Sequence, residues 1–201
     1  MSALADGNCR ELKHFLAGIA VVYELRLNNR WSAKYQVKWG PFMGMYCEVS
    51  VASREDVGDF SDEPASFAGA FGGVATANRV SLEKAWHGLH YLLTGEVWEG
   101  NGPLAFLLAG GEQLGDDEES PLRWFSSDEA REIHEALTAV SDNQLWSRFD
   151  AAEMESQQIY PGIWDEPETD LKDEYLEYFH QLKQVVASAV KSNQGLLVTI
   201  G

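Results

Sequence analysis

The clearest hydrophobic pattern of the chain runs through residues 81–95. Its apolar residues recur at three- and four-residue spacing, which places them on one side of an α-helix; they are Leu82, Ala85, Trp86, Leu89, Leu92 and Leu93. Ser81 precedes the run as a candidate N-cap, and Gly95 follows it as a residue that accepts a positive φ angle. The pattern predicts an amphipathic helix that packs on a core, with His87 and His90 on the flank of its apolar side.

Two segments have the pattern of β-strands, one at each end of a mainly helical stretch. In residues 45–51, polar and apolar residues alternate, which is typical of a strand with one buried side. Residues 196–200 form an unbroken apolar run, which is typical of a central strand that is buried on both sides. Pairing of the two strands in one small sheet, with helices packed against it, predicts a helix-rich single domain of the α+β class.

Three further helices are indicated between these strands. Ser126–Glu129 and Ser141–Gln144 both have the sequence of a capping box, which marks the start of a helix. Apolar residues at helical spacing through residues 171–189 indicate a longer amphipathic helix. Before it, the Pro-Gly pair inside Ile159–Trp164 favours a type II turn.

The composition is that of an acidic globular protein. Of the 201 residues, 45% are hydrophobic, and the formal net charge is −17. A field of this sign repels nucleic acids and anionic membranes and favours a basic protein partner. Residues 15–23 form the longest apolar run, which is much shorter than the roughly 20 residues that a membrane-spanning helix needs. The two cysteines lack the pattern of a disulfide scaffold or a zinc site, so a reducing cytoplasm is the expected location.

Residues 1–42 differ from the rest of the chain. They carry a net charge of +3, whereas residues 43–201 carry −20. We expect them to form an extension outside the domain 43–201. One interpretation is a translation start placed upstream of the true one, because Met43-Gly-Met45 follows directly. The other interpretation is a short helix or hairpin that packs on the domain.

Several segments together resemble the YfbM-like family of small bacterial proteins, which is a family of unknown function. They are MGMYCEVS at Met43–Ser50, LEKAWHGLHYLLTG at Leu82–Gly95, GPLAFLLAGGEQLG at Gly102–Gly115, IYPGIW at Ile159–Trp164 and the C-terminal LLVTIG. The resemblance extends from Met43 to Gly201 and implies a helix-rich α+β fold. It implies no established activity, cofactor or catalytic residue.

Two histidines on the central helix are candidates for chemistry. His87 and His90 are three residues apart, a spacing that can bring two imidazoles to one metal ion. The chain has neither an HExxH motif nor a third ligand at a recognisable spacing, so we expect no metal site and no cofactor. A pair of structural histidines at the edge of the core is the competing interpretation.

Two functions of different classes fit these features. The first is an acidic binding protein for a basic protein partner, similar in character to an immunity protein that neutralises a basic toxin. Its candidate docking face is an acidic loop made of Asp116, Asp117, Glu118 and Glu119. The second is a small enzyme or ligand-binding domain with a histidine as general base. Its candidate pocket residues are His87, His90, Trp98, Tyr160 and Trp164. We favour the binding protein, and the sequence does not indicate the oligomeric state.

Overall fold

The computed structural model describes residues 45–57, 78–114 and 122–201, and the backbone of three earlier strands. The chain divides into two compact units, residues 1–43 and residues 44–201. In the first unit the strands form an antiparallel sheet in the order β1-β2-β3; they are β1 (Lys13–Leu16), β2 (Ile19–Arg26) and β3 (Arg30–Ala33). The sequence did not lead us to expect this small sheet.

The second unit contains a five-stranded antiparallel sheet. Its strands are β4 (Cys47–Ala52), β5 (Arg79–Ser81), β6 (Glu112–Leu114), β7 (Leu122–Phe125) and β8 (Gly195–Ile200). They lie side by side in the order β5-β4-β8-β7-β6. All six residues of the central strand β8 are buried, and β8 pairs with β4 from Cys47 opposite Ile200 to Ala52 opposite Gly195. The predicted pairing of the first and last strands of the domain is confirmed.

Six helices accompany this sheet in the described part of the second unit. They are α1 (Arg54–Val57), α2 (Trp86–Thr94), α3 (Ser127–Ala139), α4 (Asp142–Trp146), α5 (Ala151–Ser156) and α6 (Glu168–Ser192). Helices α3 and α6 pack against each other; α3 contacts β7 and β8, and α6 contacts β4, β5 and β8. The domain is therefore of the α+β class, with its principal core between these helices and one face of the sheet.

Three helix boundaries follow their local sequence signals, and a fourth departs from its signal. Both predicted capping boxes are present, with the side chains of Ser126 and Ser141 accepting bonds from backbone N–H groups. Helix α2 ends, as predicted, at Gly95 with φ 79°. However, α2 begins at Trp86 and not after Ser81, so the predicted N-cap is wrong. Ser81 instead pairs with Glu48 as the last residue of β5, and this pairing holds its backbone in the sheet.

Two cations hold helix ends in place. Arg148 donates hydrogen bonds from Nη1 to the carbonyl oxygens of Leu92 and Leu93, at 2.8 and 2.6 Å. Lys183 donates from Nζ to the carbonyl oxygen of Val140, at 2.7 Å. The last carbonyls of a helix have no partner within the helix, and a cation there also complements the helix dipole. Arg148 lies between α4 and α5, and it thus holds the C-terminal end of α2, the helix that carries both central histidines.

Candidate functional site

The side chain of His87 is held by two hydrogen bonds inside the core. Its Nε2 lies 2.6 Å from the carbonyl oxygen of Val97, and its Nδ1 lies 3.0 Å from the backbone nitrogen of Tyr160. A carbonyl oxygen only accepts and a backbone N–H only donates, so the ring is neutral, with its proton on Nε2. Both ring nitrogens are therefore occupied by backbone groups.

Two other predicted pocket residues, Trp98 and Tyr160, contact this histidine. The ring of His87 lies 4.2 Å from that of Trp98 and 5.1 Å from that of Trp86, and Tyr160 lies 5.9 Å from Trp86, measured between ring centroids. Rings at these separations are in contact with each other. The cluster is thus a packed aromatic block that joins α2 to the turn after α5.

The other two predicted pocket residues are also buried. His90 is fully buried, with Nε2 3.5 Å from the hydroxyl of Thr94, and its Nδ1 has no hydrogen-bond partner. Trp164 is 3% exposed and donates from Nε1 to the carbonyl oxygen of Ile159 at 2.8 Å. Both histidines are therefore buried, as the interpretation of a structural pair expects, and Trp98 and Tyr160 from the following loops cover His87.

Burial lowers the pKa of both histidines. The pKa of His87 falls to about 4, mainly through burial, and the hydrogen bond to Val97 opposes part of this change. The pKa of His90 also falls to about 4, through burial first and then through the positive charges of protonated His87 and of Arg123. An imidazole with so low a pKa is neutral at pH 7 and a weak base.

Beside Tyr160 the surface opens into a cleft of about 480 Å³. Its walls come from the residue before β4, the turn before α2, the turn after α5 and the first turns of α6. The lining residues are Tyr46, Glu83, Lys84, Ala85, Tyr160, Pro161, Ile163, Glu166, Glu174 and Tyr175. Within Ile159–Trp164, Gly162 has φ 77°, as a type II turn requires, and the Tyr160–Pro161 peptide bond is cis. This turn carries one wall of the cleft.

A second cavity of about 260 Å³ continues the cleft along α6. It is lined by Ser81, Glu83, Glu174, Glu177, Tyr178 and Gln181. Because Glu83 and Glu174 line both cavities, the two form one groove, which we call the acidic groove. None of the predicted pocket histidines lines it, and Tyr160 is the one predicted pocket residue that does.

Carboxylates dominate the electrostatics of the acidic groove. Among the described residues, none of Glu83, Glu166, Glu174 and Glu177 forms an ion pair with a lysine or arginine. Burial and then the charges of Glu166 and Glu177 raise the pKa of the Glu174 carboxyl. The raised pKa means that the negatively charged form of the Glu174 carboxyl is disfavoured in the groove. A cation in the groove would relieve this repulsion.

No pattern in the sequence indicates the acidic groove. Its residues come from four separate segments, and Glu174 and Glu177 look like ordinary polar positions of an amphipathic helix. The predicted docking loop, Asp116, Asp117, Glu118 and Glu119, lies outside the described residues.

Within the described ranges, no group of three or more histidine, cysteine, aspartate or glutamate residues is placed to hold a metal ion. None of the described helices is long and apolar enough to cross a membrane.

A protein-family model described as "Domain of unknown function (DUF1877)" matches residues 43–199. The chain belongs to the DUF1877 family. It is also similar to a solved structure, the protein of unknown function YfbM from Escherichia coli, with 20% sequence identity and a TM-score of 0.65. The alignment covers 78% of this chain and 99% of that chain, and at this identity the likeness shows the fold alone. The resemblance found in the sequence is therefore confirmed. A comparison with curated proteins finds none that matches.

Because 99% of the YfbM chain aligns with 78% of this one, a chain of this fold forms without a counterpart of about a fifth of this protein, and the family model begins only at residue 43. We therefore expect that deletion of residues 1–42 changes the thermal midpoint by less than about 5 °C, which corresponds to less than about 2 kcal/mol in a domain of this size. Calorimetry of the two chains measures the difference. A larger drop would show that the first unit stabilises the second.

Proposed function

We propose that this DUF1877 domain is a binding protein that docks a basic protein partner over the acidic groove. The observation that carries the proposal is the accumulation of four carboxylates, none of them in an ion pair among the described residues, in a concave surface that holds one basic residue, Lys84. The carboxylates are those of Glu83, Glu166, Glu174 and Glu177. Complementary charge steers a partner of opposite sign to its site and repels partners of the same sign. An immunity protein that neutralises a basic toxin is one role of this kind.

The backbone at Glu83 supports a functional role for its carboxylate. Glu83 has φ 47°, in the left-handed region that favours glycine and asparagine. Its carbonyl oxygen accepts a hydrogen bond from the N–H of Cys47 at 3.2 Å, so the conformation is tied to β4. Backbone strain of this kind is concentrated at functional sites. Here a glutamate that lines both cavities occupies the strained position.

Tyr46 supplies an exposed aromatic ring on a rigid support. Its side chain is 40% exposed, and its backbone exchanges two hydrogen bonds with Gly201, at 2.8 and 3.0 Å. Tyrosine is enriched among the residues that dominate binding energy, because it covers much area with few rotatable bonds. An exposed tyrosine beside several carboxylates that form no described ion pair is therefore typical of a docking surface for a cationic partner.

The alternative function, an enzyme or ligand-binding pocket with a histidine as general base, has less support. A general base needs a free ring nitrogen within reach of its substrate. Both nitrogens of His87 are bonded to backbone groups, and His90 is fully buried. The low pKa of both histidines also makes them weak bases at pH 7.

The experiment compares two triple variants that change the net charge equally. One neutralises the groove with Glu166→Gln, Glu174→Gln and Glu177→Gln. The control neutralises three exposed carboxylates elsewhere, with Glu132→Gln, Glu135→Gln and Glu155→Gln. Partners are captured from a lysate of the source cells with the unaltered protein, identified and purified. Their association rates with all three proteins are then measured.

We expect a basic partner whose association slows at least tenfold for the groove variant and much less for the control variant. A rise in salt from 50 to 500 mM should also slow association, because the Debye length shrinks from about 14 to about 4 Å. A partner that associates equally fast with both triple variants would contradict docking over the groove.

A further inference from the structure

We infer that Asn101 is a modification site, where the side-chain amide is lost spontaneously through attack by the backbone nitrogen of Gly102. The inference is independent of the proposed function. Asn101-Gly102 is the one Asn-Gly pair of the sequence. It lies in the loop between α2 and a short 3₁₀ helix, Pro103–Ala105, and both of its residues are exposed.

The reaction needs no reactant other than water, and asparagine is among the thermally labile residues of proteins. The nitrogen of Gly102 loses its proton and forms a bond to Cγ of Asn101. The bond from Cγ to the side-chain nitrogen breaks, and ammonia leaves with that proton. Water then opens the resulting succinimide ring at either carbonyl carbon, which gives aspartate or isoaspartate as a carboxylate and releases one proton. No atom is oxidised or reduced.

The attacking nitrogen of Gly102 is accessible. Glycine has no Cβ that would hinder the approach of this nitrogen to Cγ of Asn101. A Cβ built at Gly102 would have no heavy atom within 4 Å, so the space around the residue is open. In the part of the chain that the structure describes, neither the N–H of Gly102 nor the side chain of Asn101 forms a hydrogen bond. Attack therefore requires no hydrogen bond to be broken.

Asn193, another exposed asparagine, has the opposite arrangement. It lies at the C-terminal end of α6, and the N–H of the next residue, Gln194, donates to the carbonyl oxygen of Ala189 at 2.9 Å. The side-chain oxygen of Asn193 also accepts a hydrogen bond from Arg131 at 3.4 Å. Both groups that would have to react are thus held in place, which makes Asn193 a matched comparison within the same chain.

The loop that carries Asn101 also covers His87. The carbonyl oxygen of Val97 lies 2.6 Å from Nε2 of this histidine, and the ring of Trp98 lies 4.2 Å from the imidazole. Either product adds a negative charge to the loop. Isoaspartate also lengthens the backbone by one carbon, because the chain then continues through Cβ. The modification therefore changes both the charge and the backbone of the segment that packs on His87.

The test follows the full chain during incubation at pH 8, with peptide mapping by mass spectrometry to measure the loss of each amide. The variant Gln194→Gly adds a second Asn-Gly pair, whose backbone nitrogen remains positioned to donate to Ala189. Asn101→Gln is the negative control, because glutamine would have to close a larger ring. The synthetic peptide Glu-Gly-Asn-Gly-Pro gives the rate without a fold. Thermal midpoints of the variants are checked first.

We expect Asn101 in the folded chain to lose its amide at a rate within about tenfold of that of the peptide. In the Gln194→Gly variant, Asn101 should react at least about tenfold faster than Asn193, since a broken hydrogen bond adds to the barrier at Asn193. The aged chain should accept methyl groups from an isoaspartyl methyltransferase with S-adenosylmethionine. The aged Asn101→Gln variant should not.

Three results would each overturn the inference. The first is a rate at Asn101 more than tenfold below that of the peptide. The second is an equal rate at the two Asn-Gly pairs of the Gln194→Gly variant. The third is equal methyl acceptance by the aged unaltered chain and the aged Asn101→Gln variant.

Discussion

Replacement of Trp86 by alanine is expected to lower the free energy of unfolding by about 3–5 kcal/mol, the usual range for deletion of a large buried aromatic side chain. Trp86 is 0% exposed, and its Nε1 donates to the carbonyl oxygen of Met45 at 3.1 Å. Its ring also contacts those of His87, Trp98 and Tyr160. The substitution would thus leave a cavity where α2, the following loop and the turn after α5 meet. Denaturant melts measure the change.

Trp86→Phe is the control, because it keeps an aromatic ring and loses mainly the hydrogen bond to Met45. We expect it to cost clearly less than the alanine variant. If Trp86→Ala cost under about 1 kcal/mol, the residue would not be the buried anchor that the structure shows. Since His87 is equally buried and doubly hydrogen-bonded, its removal should also destabilise the protein substantially.

The protein is expected to lose about 4 kcal/mol of stability between pH 8 and pH 5 through His87 and His90 together. Burial lowers the pKa of each from 6.5 to about 4 in the folded state. Between these values the unfolded chain binds more protons than the folded chain, so protons favour unfolding. The stabilisation is complete above the unfolded pKa and is lost as the pH falls toward the folded pKa. Urea melts at several pH values measure this loss.

His90→Leu separates the contribution of one histidine. At pH 8 this variant should lie within about 1 kcal/mol of the unaltered protein, because Nδ1 of His90 has no partner to lose. Its loss of stability between pH 8 and pH 5 should be about half as large. A His90→Leu protein with the full pH dependence would show that His90 titrates normally in the folded state.

The sequence predicts those parts of the fold that have local signals. These signals are the capping boxes at Ser126 and Ser141, the glycine that ends α2 and the apolar strand at the C-terminus. At each of them, residues close together in the chain are enough to determine the local structure. Strands β5, β6 and β7 were not predicted, because three or four residues are too few for an alternating pattern to be recognised. These short segments become strands because they pair with neighbouring strands of the sheet.

The acidic groove could not be predicted for a different reason. Tyr46, Glu83, Glu166 and Glu174 are far apart in the chain, and only the packing of α6 beside the turn before α2 brings them together. The sequence left open whether the two histidines are structural or functional, because it does not show which loops cover a helix flank. The aromatic cluster itself was partly anticipated, since His87, Trp98 and Tyr160 do meet.

The central claim is that a basic protein partner docks over the acidic groove, and the most direct measurement of it is the map of NMR shift changes caused by the captured partner. The account predicts saturable changes concentrated at Tyr46, Glu83, Glu174 and Tyr178, with little change on the exposed face of α3 around Glu132 and Glu135. Changes centred on another surface, or spread evenly over the acidic residues of the domain, would contradict the account.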